Sequence, residues 1–294
     1  MNSLLRAGRR VSAGSLSPMP TPALSPRGVW NPVIPRGMAR LLPVVLLAWV
    51  TVSPALRLSA ADPASPRKGL VATVNPVATE AGLQALRDGG NAVDAAIACA
   101  LTLGIVDGHN SGLGGGCFMT VRLADGRLIT LDGREMAPAA ATRDMFVREG
   151  KVDSRLSQDG ALSVGIPGEF ATLAYASTNY GRLPLGRLLE AAARVAEKGF
   201  RLDRHYVGRL KETRSQLVLF PESEAIFLKG LPSVPSAGDR LRQSDLARSY
   251  RQMAKGGVAW FYQGDFARRT AEWMKAHGGV VTAADFARYE VVPR

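Results

Sequence analysis

The chain has 294 residues, 46% of them hydrophobic, which is enough to bury a sizeable core and argues for one domain with a tail. Its formal charge of +12 is unevenly spread, with +8 within residues 1–68 and only +4 over the rest. That remainder has no run of basic residues interleaved with aromatics, which excludes the electrostatic footprint of a nucleic-acid binder.

Residues 1–37 are rich in Pro, Ser, Gly and Arg and read as a disordered extension or a misassigned start, with Met38 as a natural first residue. Arg36 and Arg40 then precede sixteen uncharged residues, 41–56, whose apolar run Leu41 to Val52 is followed by the small residues Ser53-Pro54-Ala55 and Ser59-Ala60-Ala61. A basic start, an apolar middle and a small-residue end form the layout of a secretory signal, so 38–61 predicts export to the periplasm or cell exterior. The apolar run falls short of the roughly 20 residues of a membrane span, and its competing reading is a short anchor giving membrane association through 41–56.

The domain proper is expected over 62–294. Leu70 to Val74 predicts a short strand, broken by Asn75-Pro76, and Pro76 opens a helix that runs to about Asp88 before Gly89-Gly90. Asn91 is the expected N-cap, with Asp94 completing a capping box, of a buried helix from Ala92 to about Leu103. Strands over Cys117–Leu123 and Leu128–Asp132 form a hairpin through the Asp125-Gly126 turn. Thr142-Arg143-Asp144 reads as the capped start of a helix. Apolar spacing predicts a helix over Leu185–Glu197, and further helices fall near 203–216, 243–255, 264–277 and 282–289. The class is α+β and helix-rich.

Several motifs point away from chemistry. The Gly112-Leu113-Gly114-Gly115-Gly116 stretch lacks a following Gly-Lys-Ser/Thr and leads into a strand, so it is no phosphate loop. Its glycines either let backbones pack closely or shape the floor of a pocket, the task assigned to Gly114, Gly115 and Gly116. The histidines His109, His205 and His277 form no metal-binding spacing, no cofactor motif occurs, and Ser163 lacks a nucleophile-elbow context. His109 either lines the pocket or bonds within its own loop. Cys99 and Cys117 read as free thiols, though export would permit a disulfide. Arg134, after the hairpin, offers a planar fork of donors matched to a carboxylate; its plain alternative is an exposed ion pair with Asp132 or Glu135.

The order of motifs GLVATVNPVATEAGLQALRDGGNAVDAAIA, GLGGGCFMTV, LDGREMAPAAATRDMF, SVGIPGE, GDRLRQSDLARSYRQMAKGGVAWFYQG and GGVVTAADFARYE resembles the large-subunit part of a γ-glutamyltranspeptidase. The resemblance covers about three quarters of the chain, from Gly69 to Arg294. It implies a portion of the four-layer αββα sandwich of the N-terminal-nucleophile (Ntn) hydrolases. It also implies cleavage of glutathione or other γ-glutamyl compounds, with transfer of the γ-glutamyl group to water or amines, and pairing with a small subunit cut from the same precursor. On this resemblance Arg134 binds the γ-glutamyl α-carboxylate, the family's aromatic or small residue at the preceding position being Gly133 here. The threonine nucleophile is expected beyond Arg294, so the chain alone is expected to be inactive. Alternatives are a glutaryl-type β-lactam acylase relative and a noncatalytic, truncated binding or scaffold protein.

Overall fold

Asn75 caps the first helix, α1 (Pro76–Arg87), by accepting a hydrogen bond from the Val77 N–H, and proline in the first turn costs the helix no donor. The computed structural model describes residues 69–229 and 235–294, which belong to one unit, Ser65–Arg294. The readings over 1–37 and 38–61 lie outside the described residues. Within them no helix is long and apolar enough to cross a membrane.

The second helix, α2 (Ala92–Val106), forms the middle of the core. Ile97, Leu101 and Ile105 are wholly buried, and the helix runs three residues past the expected end at Leu103. Asn91 and Asp94 make the anticipated capping box. Asp94, although charged, is fully buried, because its carboxylate also accepts from the N–H groups of Arg182 and Leu183. α1 crosses α2 closely at Gly82, where a Cβ would come 2.5 Å from Cys99 Sγ. Cys99 and Cys117 are both free thiols.

The hairpin pairs β1 (Cys117–Arg122) with β2 (Leu128–Gly133) in antiparallel register, Cys117 opposite Gly133 and Arg122 opposite Leu128. Gly126 takes a φ of 92°, and the Asp125 carboxylate accepts from Arg127 N–H, which explains the Asp-Gly turn. Short strands β3 (Val147–Arg148) and β4 (Lys151–Val152) form a separate ribbon. α3 (Glu169–Tyr180) leads to α4 (Leu185–Lys198), which packs lengthwise against α2. Then come β5 (Phe200–Arg201), α5 (Arg204–Glu212), α6 (Arg214–Leu217), α7 (Pro221–Glu224) and β6 (Arg240–Leu241), the last paired with β5. α8 (Ser244–Tyr262) lies along α4 and is kinked at Gly257, whose φ is 58°. α9 (Asp265–Ala276), α10 (Ala283–Ala287) and β7 (Val292–Pro293) complete the chain, β7 adding to β2 as the third strand of the main sheet.

The helix-rich α+β class therefore holds, with local corrections. Leu70 to Val74 is not a strand: no neighbour offers it a ladder among the described residues, Val74 falls in a bend, and Leu70 and Val74 are 87% and 80% exposed. Thr142–Asp144 begins a pair of turns rather than a helix, closed by Met145 N–H to Thr142 O and Val147 N–H to Asp144 O. The helix expected over 203–216 divides at Thr213, and the one over 282–289 shortens to α10. The helix near 243–255 continues through the Gly257 kink to Tyr262.

Candidate functional site

Arg134 is the first residue beyond β2, and its backbone is fixed on both sides. Its N–H donates to Asp132 Oδ1 at 3.2 Å, and its carbonyl accepts from Tyr289 Oη at 2.8 Å. The guanidinium is half exposed: Nη1 donates to Gly116 O at 2.9 Å, Nη2 lies 2.8 Å from Glu135 Oε2, and the Phe118 ring centre is 5.9 Å away. Of the two expected ion-pair partners, Glu135 pairs with Arg134 while Asp132 pairs with Arg294 at 2.8 Å. Both terminal nitrogens thus have partners while half of the side-chain surface stays exposed, and a carboxylate approaching it would meet a charge whose backbone is already held.

The glycine stretch serves the site unequally. A Cβ at Gly116 would come 2.6 Å from Gly133 O and 2.8 Å from Arg134 Cα, so only glycine lets this backbone reach the strand end. At Gly115 a Cβ would meet Glu135 Oε1 at an ordinary 3.4 Å; the demand there falls on the carbonyl, which accepts from the N–H groups of Gly168 and Glu169 at 2.9 and 3.1 Å and so caps α3. Gly114 faces open space. Gly114 and Gly115 line a cleft of about 470 Å³ together with His109, Glu169 and Tyr250, whereas Arg134 is not part of its wall.

Glu169 is buried in that wall. Burial pushes its carboxyl up to about 7, opposed by a hydrogen bond from Gly112 N–H and reinforced by the nearby Glu135. Cys117, beneath the Arg134 strand end, has its thiol pushed up to about 11, chiefly by burial. His109 lies with Nε2 3.1 Å from Asp107 Oδ1, and burial lowers its pKa. Its polar neighbour is thus the carboxylate at the end of α2 rather than a group of the glycine stretch. No group of three or more His, Cys, Asp or Glu could hold a metal among the described residues.

Met136 exchanges both backbone hydrogen bonds with Ile166, joining the segment after Arg134 to the one that enters α3. A γ-glutamyltranspeptidase family model matches residues 78–294, spanning all of these elements. The chain belongs to the γ-glutamyltranspeptidase family. It is 39% identical over 235 residues to the glutathione hydrolase proenzyme of Escherichia coli, covering 79% of this chain and 40% of that protein. Among solved structures, it superposes on the γ-glutamyltranspeptidase of Helicobacter pylori with a TM-score of 0.74 and 35% identity, over 78% of this chain and 66% of that one. It also superposes on a cephalosporin acylase of Bacillus halodurans, TM-score 0.68 and 29% identity, over 76% of this chain and 42% of that one. The chain thus spans about 40% of the length of the curated relative.

Sequence reasoning singled out Arg134 but missed Glu169, Thr172 and Tyr289. A signal for α3 was present: Phe170, Leu173, Ala174 and Ser177 fall at helical spacing between Pro167 and Gly181. Nothing local to Tyr289 could have linked it to Arg134, 155 residues earlier.

Proposed function

We propose that this chain is the substrate-recognition portion of a γ-glutamyltranspeptidase, an Ntn hydrolase that cleaves γ-glutamyl amides such as glutathione and passes the γ-glutamyl group to water or an amine. The observation that carries this reading is Arg134, a half-exposed arginine at the end of a strand, its backbone anchored at both N–H and carbonyl. Its task is to hold the substrate's α-carboxylate so that the γ-carbonyl meets a nucleophile supplied by the remainder of the precursor. Gly116 supports the same strand end, Gly115 caps α3, and Gly114 and Gly115 line the neighbouring cleft.

On this reading the nucleophile is a threonine that becomes an N-terminus when the precursor cuts itself, with its own amine as base. The γ-glutamyl-enzyme then forms as the amide bond breaks and the leaving amine takes a proton. Water or an acceptor amine attacks the ester and releases the threonine hydroxyl. Fixing the α-carboxylate turns encounter into orientation, which can contribute several kcal/mol to the barrier. The chain is proposed to act only as a heterodimer with that second part, after export directed by residues 38–61.

Likeness to a cephalosporin acylase supports a second reading, a glutaryl-type amidase. Reading the gene past Arg294 and assaying the complete precursor on a γ-glutamyl anilide and a glutaryl anilide tests both. Faster cleavage of the γ-glutamyl anilide supports the transpeptidase, and the reverse preference supports the acylase. A precursor without either activity leaves a noncatalytic relative.

A further inference from the structure

We infer that Tyr289 is a positioning residue for Arg134, and through it for the substrate's α-carboxylate; this rests on the proposed role of Arg134. The Tyr289 hydroxyl donates to the carbonyl of Arg134 at 2.8 Å. That oxygen belongs to the peptide unit joining Arg134 to Glu135, the two residues whose side chains pair at 2.8 Å. Turning this peptide plane would swing Glu135 against Arg134 and redirect the fork, so a donor on the carbonyl helps set the direction of the guanidinium.

The hydroxyl is itself held. A Cβ at Gly168 would lie 1.9 Å from Tyr289 Oη, so the phenol is seated against the bare backbone that enters α3. Its ring stacks on Tyr262 with centroids 5.5 Å apart and planes 18° from parallel. The Tyr262 hydroxyl donates to Pro167 O at 2.8 Å and accepts from Ala171 N–H at 3.2 Å. Two tyrosines, one ending α8 and one following α10, thereby strap the start of α3 to the strand end that carries Arg134. Burial raises the Tyr289 phenol to about 12, so it remains a donor at neutral pH. A purely structural tyrosine would satisfy its hydroxyl on any neighbour; this one bonds to the residue proposed to hold the substrate.

The test uses the complete, processed enzyme and two anilides, γ-glutamyl and 4-aminobutyryl, which differ only by the α-carboxylate. Tyr289→Phe keeps the ring and its stacking and removes the hydroxyl. The expected result is a KM for the γ-glutamyl anilide raised about three- to tenfold, as the loss of one hydrogen bond allows. Its kcat should change by less than about twofold, as should kcat/KM for the 4-aminobutyryl anilide. The ratio of kcat/KM for the two substrates, measured in one preparation, is independent of how much of the variant folds. An unchanged ratio, whether both rates fall together or neither does, overturns the inference while leaving Arg134 in place. If the wild type fails to prefer the γ-glutamyl anilide, the carboxylate role of Arg134 falls first and the role of Tyr289 with it.

Discussion

Gly133 lies so close to Thr172 that a Cβ built on the glycine would come 1.7 Å from the threonine Oγ1. The space beside the strand end is thus filled from α3, which explains why a glycine precedes Arg134 here. Thr172 is fully buried, and its hydroxyl donates to Gly168 O at 3.0 Å, so it cannot turn away without breaking that bond.

Gly133→Ala should therefore destabilise the protein by about 1–3 kcal/mol through overpacking. Gly133→Ala combined with Thr172→Gly should recover part of that loss, because the glycine removes the atoms that collide. Urea midpoints of the two variants measure both effects, and equal midpoints would show that α3 yields at no cost.

Glu169 gives a pH dependence with a defined sign. Its carboxyl keeps its proton up to about 7 in the folded chain, against an ordinary value of 4.5. Between those values the folded state binds more protons than the unfolded one, so this group's contribution is full below 4.5, declines as pH rises and levels off above 7. The two values bound the loss at about 3 kcal/mol. Glu169→Gln stays neutral and can still accept from Gly112 N–H. Relative to wild type it should gain about 1–3 kcal/mol between pH 5 and pH 8, read from urea midpoints at both. A difference that does not change with pH would mean that the carboxylate is solvated.

Arg134→Lys keeps the charge and loses the fork. With the Arg134 side chain half exposed, the expected loss is moderate: a KM for γ-glutamyl substrates raised about tenfold or more, with kcat changed far less. Arg134→Ala should raise it further. Steady-state kinetics of the processed enzyme decide this, and a KM unmoved by both changes would remove Arg134 from the site.

What was legible in the sequence was local. The Asn91 and Asp94 capping box, the Asp125-Gly126 turn and the apolar stripe of α4 each declare themselves within a few residues. Arg134 could be named because a short motif surrounds it. Long-range closures were not legible: Gly115 O capping α3, Thr172 filling the space at Gly133 and Tyr289 holding the Arg134 carbonyl all join residues with no periodicity in common. Leu70–Val74 shows the reverse case, a β-branched stretch that reads locally as a strand but has no neighbour among the described residues to make it one.

Asp94 tests how far one residue can serve two elements. Its carboxylate closes the N-terminus of α2 through Asn91 N–H at 2.8 Å and accepts from Arg182 and Leu183 N–H at 3.0 and 3.1 Å in the connection from α3 to α4. Asp94→Ala should cost about 2–3 kcal/mol, since it leaves the N–H groups of Asn91, Arg182 and Leu183 without their shared acceptor. Asp94→Asn retains one accepting oxygen and should cost roughly half as much. Thermal melting of both variants gives the order, and equal losses would mean that burial rather than hydrogen bonding sets the demand at this position.

Residues 62–294 expressed alone should give poorly soluble protein. Leu70 and Val74 are largely exposed on a segment without a ladder, and Phe118 and Leu128 of the hairpin are each 65% exposed. The segment 69–74 also lines a cleft of about 1250 Å³. Apolar side chains exposed on a segment without a partner favour association with other chains, and residues 69–74 carry no charge to oppose it. Co-expression with the remainder of the precursor should restore solubility if that remainder covers the segment. Size-exclusion chromatography with light scattering reads both cases, and a monodisperse monomer of the isolated fragment that melts cooperatively would show that the exposed segment is tolerated.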